Sequence, residues 1–276
     1  MREPILITFK QILFLFLTGM MFPLALQAQH SLEAGLSGGV AYYNGDIVPW
    51  TPFVMPKPAY GAVVRYNFGD RWAAKITYTH GKVAGNDTKT HAVENRSLNF
   101  ITTIDDISAT GEFNFMKYSI GSKRHNFSPY ITAGAGFFLF KPQTKYNGKI
   151  YDLRSLGTEG QNIGYRGRQP YKKYNFAVIF GLGFKYSLSK RFGLSAEWQM
   201  HKTFTDYLDD VSTTYYKYDS KKTTLLEKYF SDPTFTHKPG EQRGNRGTKD
   251  WFGVANISLT YKIEFNNNRS CKNLRW

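Results

Sequence analysis

The sequence predicts an all-β protein, an eight-stranded antiparallel transmembrane β-barrel of the outer-membrane kind, with short periplasmic turns and long extracellular loops. Three observations predict it: an export leader, apolar residues recurring at period two in eight segments, and connections that alternate short and long. The leader comes first. Arg2 and Lys10 precede an apolar run over 12–26, which ends Leu26-Gln27-Ala28 before Gln29. Basic, apolar and then small residues mark a secretory signal peptide over 1–28. Thr18, Gly19 and Pro23 interrupt the run, and it is too short to cross a bilayer as a helix. Losing Arg2, Lys10 and Glu3 with it lowers the net charge of +15 by one.

The barrel is expected over 29–265, followed by a polar tail over 266–276. The single cysteine, Cys271, lies in that tail, so an intrachain disulfide is excluded. Aromatic residues make up 17% of a chain with mean hydropathy −0.44, the balance expected of strands apolar on one face only.

Each segment sorts its side chains by parity. In the first, Leu32, Ala34, Leu36, Val40 and Tyr42 oppose Glu33, Gly35, Ser37 and Gly39. The second sets Tyr60, Ala62, Val64, Tyr66 and Phe68 against Gly61, Arg65 and Asn67. The third sets Trp72, Ala74, Ile76 and Tyr78 against Lys75, Thr77 and Thr79. In the fourth, Ile107, Ala109, Phe113 and Phe115 oppose Ser108, Thr110, Glu112 and Asn114. In the fifth, Ile131, Ala133, Ala135, Phe137 and Leu139 oppose Thr132, Gly134 and Gly136. The sixth places Phe176, Val178, Phe180, Leu182, Phe184 and Tyr186 opposite Gly181, Gly183 and Lys185. The seventh places Phe192, Leu194, Ala196, Trp198 and Met200 opposite Ser195, Glu197, Gln199 and His201. The eighth runs from Trp251 to Ile263, with Asn256, Ser258, Thr260 and Lys262 on its polar face.

A soluble sandwich also alternates, but two features oppose it. The connections at 69–71, 122–128 and 188–191 are compact, whereas those at 44–58, 82–99, 141–173 and 205–250 are long. The aromatics also fall into two groups: Phe68, Trp72, Phe115, Tyr186 and Phe192 beside short turns, Tyr60, Tyr78, Phe137, Phe176 and Trp198 at the opposite strand ends. Two aromatic girdles at two membrane interfaces account for that sorting. An even strand number then leaves both mature termini in the periplasm.

Eight strands enclose a lumen that side chains just fill. The inward charges Glu33, Glu112 and Glu197 against Arg65, Lys75, Lys185 and Lys262 predict a plugged interior of ion pairs, not a pore. Inward Gly134, Gly136, Gly181 and Gly183 allow tight curvature or the close approach of an aromatic ring.

Catalytic chemistry finds little support. His80, His91, His201, Asp206, Asp209 and Asp210 could meet at the rim as an enzyme's acid–base set, and Asp209 and Asp210 could hold Ca²⁺ weakly with Asp206. Adjacent Asp residues in a loop more often make turns. No cofactor motif is present, and export excludes nucleic acid as the partner of the basic excess. In the 141–173 loop eight Lys or Arg face only Asp152 and Glu159, which suits the phosphates of outer-leaflet lipids, lipopolysaccharide included. At the other end Arg71, Lys123, Arg124, Lys190 and Arg191, with Lys117 and the tail's Arg269, Lys272 and Arg275, form a basic rim able to dock an acidic periplasmic partner.

Within the longest loop, Thr224-Leu-Leu-Glu227 has the spacing of a capping box and predicts a helix. Asp206, Tyr207, Asp209 and Asp210 are expected to order the base of a packed cap beneath it.

Three loop stretches carry a resemblance: Tyr43-Asn44-Gly45-Asp46, Thr158-Glu159-Gly160-Gln161, and the run from Thr203 to Tyr215 containing Asp206, Tyr207, Asp209 and Asp210. With Arg65-Tyr66-Asn67-Phe68 and Arg71-Trp72, they resemble the PorG-type outer-membrane barrels of the type IX secretion machinery. The resemblance covers nearly the whole mature chain. It implies a non-catalytic role, associated in some bacteria with gliding motility, in which the barrel anchors a periplasmic ring of a lipoprotein and its partner protein.

Overall fold

The computed structural model describes residues 30–263 apart from residue 50. The leader over 1–28 and the tail over 266–276, with Cys271, lie outside the described residues. Eight strands close a ring: β1 (Ser31–Asn44), β2 (Lys57–Asn67), β3 (Trp72–Asn86), β4 (Asn99–Asn114), β5 (Phe127–Tyr146), β7 (Tyr174–Ser187), β8 (Phe192–Thr203) and β9 (Trp251–Ile263). Each pairs antiparallel with its neighbours, and β1 zips onto β9 from Leu32↔Ile263 to Asn44↔Trp251, so the ring has no free edge. A ninth strand, β6 (Lys149–Asp152), hangs as a hairpin arm on the far end of β5.

The burial pattern is that of a soluble protein turned inside out. Leu36 is 73% exposed, Tyr60 62% and Trp72 60%, whereas Glu33, Arg65 and Glu112 are almost fully enclosed. A belt of exposed apolar side chains this continuous is stable only against another apolar phase.

Strand length departs from the expected pattern. β3 and β4 continue through Asn86 and Asn99, and β5 runs to Tyr146, into what the sequence reads as loop. There the inner face carries Val83, Phe100, Ile104, Phe138 and Phe140. The hydrophobic core therefore lies toward the long-loop end, where these residues pack with Tyr43, Leu208, Val211, Phe230 and Phe252. Tyr42 faces outward as predicted, yet it is buried, because Phe53 covers its ring at 4.3 Å between centroids.

The short-turn end is also shut. The β4–β5 connection folds inward and buries Tyr118 and Ile120. Gly121 makes this possible: its φ is +92°, and a Cβ there would lie 2.8 Å from the Lys190 carbonyl oxygen.

Candidate functional site

Two buried assemblies occupy the molecule, one in the lumen and one over the long-loop end. The lumen assembly gathers three carboxylates and three cations. The Arg65 guanidinium reaches Glu33 at 2.7 Å and Glu112 at 2.8 Å. Glu112 also meets Lys185 at 2.5 Å and Lys75 at 3.1 Å. Lys75 continues to Glu197 Oε1 at 2.7 Å, and Glu197 accepts from the Tyr130 hydroxyl at 2.6 Å. Asn67 and Thr260 donate to Glu33 at 2.7 and 3.0 Å. Formal charge balances. The Tyr130 ring fills the space over Gly183, where a Cβ would stand 2.7 Å from it, and the Lys185 ammonium lies 4.5 Å above the same ring. The inward glycine thus admits an aromatic ring, as its position predicts. Lys262 lies nearer the short-turn mouth, reaching the Ile120 carbonyl at 3.4 Å.

The second assembly joins all four long loops, and the three stretches that carry the family resemblance meet inside it. Glu159 is fully buried and accepts from the Ser212 and Thr213 amides at 2.9 Å each, from the Thr213 hydroxyl at 2.5 Å, and from Arg243 at 3.2 Å. Tyr207 approaches it at 3.5 Å, and Gln161 braces the Glu159 amide at 2.9 Å. Asp210 adopts φ +65° and accepts from Thr158 at 2.5 Å and Tyr171 at 2.6 Å. Arg243 bonds the Asp210 carbonyl at 2.6 Å. Arg96 ties the Arg243 carbonyl (2.9 Å) to the Asp46 carbonyl (2.7 Å) and to Asp87 (2.6 Å). Asp46 accepts from the Asn245 amide at 2.7 Å. Asn44 ends β1 opposite Trp251.

At the base of this cap the Tyr43 hydroxyl touches two carboxyl groups, Asp209 at 2.6 Å and Asp250 at 2.7 Å. One phenolic proton serves only one of them. The other contact requires a protonated carboxyl donating to the phenol oxygen. Burial holds both acids well above the usual carboxylate range, reinforced by the charge of Asp250 at Asp209 and of Asp206 at Asp250. Gly45 passes beside the bridge, where a Cβ would stand 2.1 Å from the Tyr43 hydroxyl and 2.4 Å from Asp250, so only glycine fits the motif there. Burial also lifts Asp210 to about 6 and Asp206 to about 7. The predicted helix is present as α3 (Leu225–Ser231), after two single turns, α1 (Asp87–Thr90) and α2 (Leu153–Leu156), and its capping box joins Thr224 to Glu227.

The acid–base alternatives do not assemble. His80 pairs with Asp105 at 2.7 Å on the outer wall, His91 is exposed beside α1, and His201 stacks on Phe252 inside the lumen. The calcium alternative is corrected as well. Asp209 turns to Tyr43 and Asp250, Asp210 to Thr158 and Tyr171, and among the described residues no group of three ligating side chains is suited to a metal.

At the short-turn end Arg71, Lys123, Arg124, Lys190 and Arg191 are all exposed, with Arg71 and Arg191 bonded to the Phe115 carbonyl and the Tyr261 hydroxyl. Sequence reasoning missed Asp250, Arg96, Arg243, Tyr171 and the bridging role of Tyr43. Only Tyr43 leaves a trace, as a tyrosine on a strand face otherwise given to small or polar residues.

Solved structures similar to this chain include the attachment invasion locus protein Ail of Yersinia pestis (11% identity, 86% of this chain and 100% of that one, TM-score 0.40). They also include the outer membrane protein OprG from Pseudomonas aeruginosa (11%, 88% and 99%, 0.41) and the Neisserial surface protein A, NspA (9%, 86% and 98%, 0.38). No curated protein matches. The model of a family described as a domain of unknown function, DUF6089, matches residues 10–273, and the chain belongs to that family.

Proposed function

We propose that this chain is a non-catalytic outer-membrane component of the type IX secretion machinery, a sealed barrel that anchors a periplasmic ring. One observation carries this reading: the lumen is closed by Tyr118 and Ile120, filled by the Glu112 network and covered by the cap, which leaves the outer wall and two ends as working surfaces. The exposed apolar belt is matched to lipid, and the export leader agrees with the outer membrane. Both termini and the short turns then lie in the periplasm. There Arg71, Lys123, Arg124, Lys190 and Arg191 offer a basic face to the ring lipoprotein and its partner. Outer-leaflet lipids, lipopolysaccharide included, surround the other end. The assignment to type IX secretion rests on the resemblance of the loop stretches, whose residues join in one hydrogen-bonded cap.

A tagged chain extracted from outer membranes should bring down the ring lipoprotein, and Lys123→Glu with Arg124→Glu and Lys190→Glu should lose it while the barrel stays folded. Capture unaffected by that charge reversal would remove the basic rim from the interface. Purified protein should add no conductance to a planar bilayer. A second reading, a structural or adhesive barrel, draws on the exposed apolar residues Ile150, Leu225 and Phe235 of the cap. It predicts that no ring protein is captured.

A further inference from the structure

Two hollows beside the cap share one lysine. The first, a cleft of about 850 Å³, is lined by Arg166, Arg168, Arg246, Lys249, Phe204 and Asp206. The second, about 640 Å³, lies against the outer wall, where Phe180 of β7, Met200 and Lys202 of β8 and Trp251 of β9 form its floor, and Lys249 lines it too. Polar cleft and apolar groove are therefore contiguous at the height where the lipid-facing belt ends.

The chemistry of the two hollows differs. In the cleft four cations surround one acid, and the basic excess calls for an anion. Asp206 is 3% exposed, and its carboxyl has only the Ser212 side chain beside it, outside good hydrogen-bond geometry, so the cleft floor also calls for a hydroxyl or ammonium. Arg168 is fixed by bonds to the Glu159 and Thr214 carbonyls at 2.8 Å each, which makes that wall rigid. Phe204, 58% exposed, offers a flat apolar face at the entrance. Among the described residues lining the groove, the cation beside Lys249 is Lys202, whose ammonium lies 5.5 Å over the Trp251 ring. An anion bearing hydroxyl or amino groups above and a hydrocarbon chain below satisfies both hollows at once.

We propose that this flank binds one phosphorylated amino-sugar glycolipid of the outer leaflet, with its sugar over Asp206, its phosphate between Arg246, Lys249 and Lys202, and an acyl chain along Phe180, Met200 and Trp251. The proposal rests on the outer-membrane reading above. It differs from a diffuse attraction of lipid phosphate to surface charge, because it fixes one molecule to one side of the barrel.

The test uses the full mature chain folded in detergent and exchanged against limiting amounts of a bis-phosphorylated diglucosamine glycolipid, with retained glycolipid counted by native mass spectrometry. Wild type should retain one molecule. Lys249→Gln with Arg246→Gln, and separately Asp206→Asn, should each lower retention roughly tenfold, the loss expected when a charge-assisted contact is removed. Lys82→Gln with Lys141→Gln, exposed cations on the β3–β5 side, should retain it as wild type does. Equal loss in that control pair would overturn the site and leave diffuse charge only. Displacement by free glucosamine phosphate at the glycolipid's own concentration, or by inorganic phosphate, would overturn the lipid source, as would equal retention of the dephosphorylated glycolipid for the phosphate contacts. A chain that inserts into vesicles yet retains no glycolipid refutes this inference alone, whereas one that stays soluble without detergent refutes the membrane reading beneath it.

Discussion

The ion-pair network of the lumen and the base of the cap both bury acidic groups, and they keep them in different ways. In the central network of the lumen each carboxylate faces a cation: Glu33 has Arg65, Glu197 has Lys75, and Glu112 has Arg65, Lys75 and Lys185, while buried Asp106, nearer the cap, has the His201 ring 3.7 Å away. In the cap Asp209 and Asp250 face each other across the Tyr43 hydroxyl. The lumen network cancels charge with opposite charge; the cap does the same for Glu159 with Arg243 and Asp87 with Arg96, but at its base it retains a proton instead. A buried charge must be paired or neutralised, and this chain uses each solution in a different place. The contrast implies a cap base more sensitive to mild pH change than the ion-pair network of the barrel.

The largest effect should come from breaking the paired region. Glu112→Gln leaves Arg65, Lys75 and Lys185 with one counter-charge fewer, and loss of one partner from a buried pair costs ~3–5 kcal/mol. Urea unfolding in detergent, followed by the shift in gel migration between folded and unfolded barrel, should show a lower midpoint. An unchanged midpoint would mean the network is well hydrated.

Next comes the pH response. Asp210 rises from an ordinary value of 3.8 to about 6 and Asp206 to about 7 in the folded cap. The folded cap therefore holds protons more tightly than the unfolded loop. Its stability is fully present below about pH 4 and is lost as pH rises through about 6 to 7, on the order of 3 kcal/mol for Asp210 alone. Cleavage of the 205–250 loop by a protease active over that range should accelerate from pH 5 to pH 8, while the barrel's urea midpoint stays level. A midpoint that moves with cap cleavage would erase the distinction between the regions.

Tyr43→Phe sharpens the same contrast with a smaller effect. It removes the hydroxyl between Asp209 and Asp250, costs about 1–3 kcal/mol, and should loosen the cap without moving barrel unfolding. The smallest effect belongs to Thr224→Ala, which removes the helix cap at a cost of ~1 kcal/mol. It should raise cleavage near α3 and leave the Tyr43 bridge intact.

Which of these features could be read in advance follows from geometry. Lipid on one side and a polar lumen on the other impose the parity seen in Ile107, Ser108, Ala109 and Thr110, so both faces and the six lumen charges were legible. Beyond the lipid the constraint changes. Phe100 and Ile104 point inward against the cap while Ile101 points outward, so apolar residues occupy both faces and the contrast that marks a strand disappears. That is why β3, β4 and β5 run past their expected ends. The cap was partly legible: Asp206, Tyr207, Asp209 and Asp210 mark its base, but Arg96 and Arg243 meet across 147 positions, and no local pattern records such a pairing.

The cap draws on every long loop, and its largest share, 205–250, lies just before the strand that closes the ring. A chain that ends at β8 contains Glu159 and Tyr43 but lacks their partners Ser212, Thr213, Arg243 and Asp250, and it lacks β9. Closing the ring and completing the cap therefore both require the same stretch of chain, from the 205–250 loop into β9. An incomplete copy presents bare acids and an unsealed throat, which distinguishes it from a finished one before it is put to work.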